Sequence, residues 1–582
     1  MGCSILFVAV LMLSGCFSAL AAGTAKKWWQ NAIIYEIYPQ SFYDKDGDGL
    51  GDLAGIQDKA TYLQDIGVNA IWIAPFFKSP GKDNGYDVSD YKDIDPRYGK
   101  MFNFEQMVKT YNQLSMEVIL DFVPNHSSDQ HEWFRKSIQK IEPYTDYYIW
   151  KDPKKWVDDE PVPPNNWASM FKSDKPGSAW KWNEERQQYY YHTFMVEQPD
   201  LNLRNPKVVQ ELKDILKFWV DKGVKGFRFD AVPHLFEDKD LKENGSGLSV
   251  EYTQNLPETY ALIQDFRAYL DSLGKSRKTE YFMTVEAYCG QEQTLKYYGT
   301  TRKRGAHFPF NFLLLTELNG RTNAYSLNKT ISTYLSKLNE FQHPNWVTGN
   351  HDWARIKSRM GTDVGVDSVM TIAMLLPGVV TVYYGDEIGM DSYWDMDQSQ
   401  CPAGVAGDYR TPNRTPFQWS YTKHAGFTTA TKPWIPVNPD YVFKNVKSQD
   451  NVYMDPPTPL IRFKQLAKQR KHPAFTDGNI RTYVFDENVF GFTRKYKNTL
   501  FVIVINLNGN VGSHLRMAQK IPDLKEATLI DTPFTSNHYA DKCQSRSACA
   551  KHFTSPDHKM PAGSSFVLRY KLPSKRLVSG KS

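Results

Sequence analysis

Gly226-Phe227-Arg228-Phe229-Asp230-Ala231-Val232 alternates large apolar residues with an arginine and an aspartate, the two-residue period of a buried β-strand. Arg228 and Asp230 fall on one face of such a strand, where they neutralise each other and reach a common ligand. A charge pair inside an apolar strand is costly, so it is kept either as a structural ion pair or because a reaction needs it. The other strands decide between the two.

Similar apolar runs recur at Ile33 to Tyr38, Asn69 to Phe76 and Glu117 to Val123 before this stretch, and at Tyr281 to Val285, Phe308 to Phe312, Asn345 to Thr348 and Val379 to Tyr384 after it. Amphipathic helical patterns lie between them, the first through Ile56 to Ile66. Eight strands with crossover helices predict an α/β fold, a parallel (β/α)8 TIM barrel. The spacing assigns residues 23–126 and 206–478 to the barrel. Residues 127–205, rich in Trp, Tyr, Pro and Lys, are expected to form an inserted subdomain after strand three, over the rim where barrel active sites lie. Asp391 to Pro456, polar and aromatic, should overhang the same rim. From residue 479 to 582 the pattern changes to alternating strands, which predicts a small C-terminal antiparallel, sandwich-like β domain.

The chain has 582 residues, enough for such a barrel with attachments, and its 41% apolar and 23% charged residues are ordinary for a folded protein. The 14% aromatic content suits flat polar ligands such as sugars, and equally a dense core. A net charge of +5 without a Lys/Arg run excludes a nucleic-acid arm. Ile5 to Leu20 is too short for a comfortable membrane span, and with Ala21-Ala22-Gly23 it reads as a signal peptide covering residues 1–22. Leu-Ser-Gly-Cys16 would also pass as a lipoprotein acylation site. No later stretch is apolar enough to span a membrane, so the mature protein is expected to be secreted and soluble, in a compartment such as the gut lumen. Cys289, Cys401, Cys543 and Cys549 remain after cleavage and allow three pairings; Cys543 with Cys549 would close a small loop. Among the sequons, Asn244 and Asn328 read as exposed loop sites, whereas Asn125 and Asn413 lie in motifs expected to line the pocket and to stay bare.

Several strands end in polar residues where the rim should be: Asp121-Phe-Val-Pro-Asn125-His126, Arg228 and Asp230, Thr284-Val-Glu286-Ala-Tyr288, and Gly349-Asn350-His351-Asp352. Each alone could be a helix cap or a solvated turn. Together they would bring Asp230, Glu286 and Asp352, one arginine and two histidines to one pocket. A retaining glycosidase needs this set: one carboxylate attacks the anomeric carbon and a second, kept protonated, gives its proton to the leaving oxygen. Arg228 beside Asp230 would keep that carboxylate ionised for attack, leaving Glu286 as the acid and Asp352 to stabilise the transition state.

These segments, with Gln198-Pro-Asp-Leu-Asn202, resemble the α-amylase superfamily of retaining enzymes, and within it the branch of α-glucosidases, oligo-1,6-glucosidases and insect maltases and sucrases. The resemblance covers nearly the whole mature chain. It implies Asp230 as nucleophile, Glu286 as acid/base and Asp352 as the third carboxylate. It further implies sugar contacts from Tyr86, Asp87, His126, Arg228, His351 and Arg414, with an Asp87–Arg414 pair closing the far end into a blind pocket. Ala231 resembles members that accept α-1,4 or sucrose bonds; valine there marks α-1,6 preference. Trp353-Ala354, Tyr409-Arg-Thr411 and Ser420-Tyr421 depart from the family pattern and bear on substrate choice.

Asp44-Lys-Asp46-Gly-Asp48-Gly-Leu50-Gly-Asp52 alternates oxygen ligands with glycines as a calcium loop does, but Gly55 stands where an EF-hand needs glutamate, so its residues alone fit an acidic turn equally. The resemblance implies a structural Ca2+ held by Asp44, Asp46, Asp48, Asp52 and the Leu50 carbonyl, and no organic cofactor. The expected partner is a sugar: sucrose, maltose or another short α-glucoside, hydrolysed with retention and accompanied by transglucosylation. A sucrose transglucosidase or isomerase, and a non-enzymatic binding or receptor protein on the same fold, are the alternatives. The absence of an Arg-Leu-Asp-Arg-Asp run counts against the isomerase.

Overall fold

Strand alternation builds the barrel in two layers. In a computed structural model that describes residues 27–170, 177–245, 249–402, 405–454, 457–535 and 558–573, the eight barrel strands are β1 (Ile33–Ile37), β2 (Ala70–Ile73), β3 (Glu117–Phe122), β4 (Gly226–Phe229), β5 (Phe282–Val285), β6 (Phe308–Pro309), β7 (Asn345–Val347) and β8 (Val379–Tyr383). Neighbours in the sheet are neighbours in sequence, and β8 pairs with β1 in parallel. The seam between β6 and β7 is held by Val347 N–H donating to Asn311 O at 3.3 Å and by Asn311 Nδ2 donating to Asn345 O at 3.0 Å. A short asparagine-lined edge thereby closes the barrel.

Ile34, Ala70, Ile119, Phe282 and Val379 share one buried apolar cluster, the floor of the barrel. Two residues further along their strands stand Glu36, Trp72, Asp121, Thr284 and Thr381, with Arg228 level with Asp121 and Thr284 in the β3–β4–β5 register. The strand period thus stacks a polar layer directly on an apolar one. Gly226 makes room below Arg228, since a Cβ there would meet Phe282 Cβ at 2.9 Å. Outside the strands, helices such as Pro206–Asp221, capped by Asn205 accepting from Lys207 N–H, bury Val208, Leu212, Ile215 and Trp219 against the main core.

The segment between β3 and β4 carries a helix, Glu132–Ile138, and a small antiparallel sheet of Trp150–Lys151, Trp180–Asn183 and Gln188–Tyr191. Its elements are too short to show a period in sequence. At the C-terminus a five-stranded antiparallel sheet begins at Asn479–Val484 and ends its central pairing with Ser565–Lys571. The signal-peptide residues, Cys16, Cys543 and Cys549 lie outside the described residues. Cys289 and Cys401 are free thiols.

Two sequon expectations change. Asn244 is only 5% exposed and its N–H donates to Asn166 Oδ1, so packing against the subdomain covers it. Asn328 is half-buried on the helix Ala324–Lys337 instead of lying in a loop. Asn125 and Asn413 are buried, and Asn125 Nδ2 donates to Asp200 Oδ2 at 3.0 Å.

Candidate active site

Arg228 enters the barrel lumen from β4 and is 1% exposed. Its Nη1 donates to Asp121 Oδ1 at 2.8 Å and to Asp230 Oδ1 at 2.5 Å, and its Nη2 meets Glu286 Oε1 at 2.6 Å. One planar fork ties together the ends of β3, β4 and β5, which a point charge could not do. Burial pushes the Asp230 carboxyl well above the usual carboxylate range; Arg228 opposes it, while Glu286 and Asp121 add to it. Asp230 and Glu286 thus share one guanidinium, the first through Oδ1 on Nη1 and the second through Oε1 on Nη2. Arg228 therefore does not single out Asp230, as their spacing on one strand suggests. It serves both members of the pair.

Ala231 turns the chain away from the strand in the left-handed region, at φ 47° and ψ 33°. This aims its N–H at Glu286 Oε2, 3.1 Å away. A small side chain suits that conformation, which a β-branched residue adopts only with strain.

Asp352, after β7, accepts from Arg414 Nη2 at 2.9 Å, with Arg410 Nη1 at 3.6 Å and His351 Nε2 at 3.4 Å. Burial works to raise its pKa, but His351, Arg410 and Arg414 outweigh it and hold the carboxyl well below the usual range. Tyr86 hydroxyl donates to Asp121 Oδ2 at 3.0 Å and lies 2.9 Å from His351 Nε2. Burial lowers His126 and His351 to about 3, so both rings are neutral. His126 Nε2 faces Gln198 Nε2 at 3.2 Å.

The Asp87–Arg414 closure is not formed. Asp87 turns into its own loop, accepting from Ser79 Oγ, Lys82 N–H and Asp83 N–H at 2.9–3.0 Å, which leaves it no reach toward a sugar. Arg414 bonds to Asp352 and to His351 O. Asp83 pairs instead with Arg410, whose Nη2 donates to Asp83 Oδ1 at 2.9 Å, and Gln198 Nε2 donates to Asp83 Oδ2 at 3.1 Å. Asp83 stands four residues before Asp87 and Arg410 four before Arg414, so the sequence located the two loops but not which charged residue of each forms the pair. Asp121, at the start of Asp-Phe-Val-Pro-Asn-His, is a third partner of Arg228 that nothing in its own strand marks as such. Glu36 had no signal beyond being a carboxylate in an apolar strand. Beside Glu286, Tyr288 stacks on Phe312 with centroids 4.2 Å apart, and Trp353 continues the ladder at 6.3 Å, giving the rim an aromatic wall.

In the acidic loop, carboxylate oxygens of Asp44, Asp46 and Asp48 lie within 4.8 Å of one another, a hard-oxygen set suited to a divalent cation. Gly47 and Gly49 adopt φ 83° and 103°, and their N–H groups donate to the two Asp44 oxygens at 2.6 and 2.8 Å. Burial and then Asp48 raise the Asp46 carboxyl, a strain that a bound cation would relieve. Asp52 is turned elsewhere: its Oδ1 caps the helix Leu53–Asp58 through Gly55 N–H and its Oδ2 accepts from Lys45 N–H, both at 2.7 Å. Leu50 N–H donates to Asp48 Oδ1.

Residues 36–478 match the family model described as alpha amylase, catalytic domain. Maltase 1 of Drosophila virilis is 42% identical over 502 residues, 82% of this chain and 78% of that protein. The salivary alpha-glucosidase of Aedes aegypti is 40% identical over 512 residues, 84% and 87% of the two chains. The crystal structure of the isomaltulose synthase of Protaminobacter rubrum superimposes with a TM-score of 0.82 at 30% identity, covering 94% of this chain and all of that one. With this barrel, these carboxylates and these relatives, the chain belongs to the α-amylase family and is a glycoside hydrolase.

Proposed function

We propose that the chain is a secreted, exo-acting, retaining α-glucosidase that hydrolyses sucrose, maltose or short α-glucosides, with transglucosylation as a second outcome. The observation that supports it best is the Arg228 fork holding Asp230 and Glu286 side by side while Asp83, Arg410 and Gln198 bar the far end. A pocket closed there admits one terminal sugar. An Asp230 oxygen bonds to the anomeric carbon as the bond to the leaving oxygen breaks, and that oxygen takes the proton from Glu286. A water, giving its proton back to Glu286, then cleaves the glucosyl ester. A sugar hydroxyl in place of that water yields the transfer product. Asp352, kept ionised by its arginines, steadies positive charge at the ring.

Salivary relatives support secretion, as does the apolar leader; no helix among the described residues is long and apolar enough to cross a membrane. Asp44, Asp46 and Asp48 would hold a structural Ca2+, which neutralises their mutual repulsion. The decisive experiment is the product profile on sucrose, maltose, isomaltose and trehalose at low and high concentration, with the first-formed anomer read by proton NMR. α-Glucose released first from maltose or sucrose is expected, with oligosaccharides at high concentration; β-glucose, or no release from any of the four, would refute the reading.

A further inference from the structure

The hydrogen atoms around His351 can be counted from its neighbours. Tyr86 has a single hydroxyl hydrogen and donates it to Asp121 Oδ2, which also accepts from Trp72 Nε1 at 3.2 Å while Asp121 Oδ1 takes Arg228. Tyr86 oxygen therefore has only a lone pair to offer His351 Nε2, 2.9 Å away, so Nε2 must carry a hydrogen. Asp352 Oδ2, at 3.4 Å on the same side, would repel a bare Nε2 and favours the same hydrogen. Across the ring, Nδ1 lies 2.6 Å from Glu36 Oε1, a distance that requires one hydrogen between them.

That hydrogen belongs to either a carboxylic acid or an imidazolium. Glu36 stands on β1, fully buried, and its second oxygen, Oε2, has no hydrogen-bond partner. An ionised carboxylate with one oxygen unpartnered in that position would be far more costly than a neutral acid, whose bare carbonyl oxygen is the cheaper orphan. Arg228, Asp352 and Asp121 face the same space; the arginine favours ionised Glu36 and the two aspartates oppose it, while burial, the largest effect, favours the neutral acid.

We propose that Glu36 is a positioning residue that, as a neutral acid, donates to His351 Nδ1 and thereby supports the ring's Nε2–H tautomer, whose hydrogen lies between Tyr86 oxygen and Asp352 Oδ2 and holds both groups in place beside the substrate. The inference rests on the proposed glycosidase site for its consequence on rate, but not for the tautomer. Burial raises the Glu36 pKa and lowers that of His351, in keeping with a neutral pair.

The test uses the full chain, labelled with 15N-histidine, with Glu36→Gln, Glu36→Leu and His351→Asn. The resonance pair lost in His351→Asn identifies the ring. A bare Nδ1 and protonated Nε2 are expected in the wild type and in Glu36→Gln, whose amide also donates; in Glu36→Leu the two tautomers should mix. On maltose, Glu36→Gln should keep kcat within about threefold, and Glu36→Leu should lose about tenfold or more in kcat with a smaller change in KM. An imidazolium, or a protonated Nδ1 with bare Nε2, in the wild type would overturn the proposal, as would a Glu36→Leu enzyme with wild-type kcat. A chain without glucosidase activity that still shows the bare Nδ1 would refute the proposed function and leave the tautomer assignment standing.

Discussion

At the scale of single residues, the site turns on two carboxyls that share one arginine. Asp230 and Glu286 both receive Arg228, and burial raises the Asp230 carboxyl against the pull of that guanidinium. A glycosidic oxygen placed between them separates the roles. With Glu286→Gln, maltose turnover should fall about 100-fold or more, while a substrate with a nitrophenolate leaving group, which needs little protonation, falls much less. Equal losses on both, measured as kcat/KM, would take the acid role away from Glu286. Asp230→Asn should reduce turnover on both substrates about 1,000-fold or more with the folded circular-dichroism spectrum retained, because no leaving group compensates for a missing nucleophile; near wild-type hydrolysis would exclude it as nucleophile.

At the scale of elements, the proposed catalytic carboxyls come from the ends of strands and the turns after them, and the surrounding walls come from loops. Strand ends are positioned by the barrel's register, so their place could be read from alternation: Arg228 lies within β4, Asp230 and Glu286 directly follow β4 and β5, and Asp352 lies in the turn after β7. Loop residues have no such period. Asp83 and Asp87 are four positions apart in one loop, and only the folded turn decides that Asp87 binds its own backbone while Asp83 faces Arg410. Asp83→Ala should open the far end and lower kcat/KM for disaccharides by about tenfold, with a smaller loss for longer α-glucosides. An unchanged ratio between maltose and a maltooligosaccharide would show that this pair is not what bars the pocket.

At the scale of the whole molecule, the acidic loop joins the first barrel turn to the long segment after β8: Asp44 N–H donates to Phe427 O, and the Thr428 hydroxyl donates to Asp44 Oδ2. A cation on Asp44, Asp46 and Asp48 would stiffen that junction, since a ligand bound only by the folded state stabilises it by mass action. Chelation of the purified enzyme should lower Tm by about 2 °C or more, restored by Ca2+ and absent in Asp46→Asn; an identical Tm with and without chelator would remove the metal. The sequence by itself determined the eight-stranded alternation, the polar layer at the strand ends and the family resemblance, because strand period and motif spacing are local properties of the chain. Only the tertiary structure decided that Arg228 serves both carboxyls, that Asp83 pairs with Arg410 while Asp87 and Arg414 bond elsewhere, and that Glu36 lies against His351. Each of these contacts joins residues from different strands or loops, and their distances are set when the barrel closes.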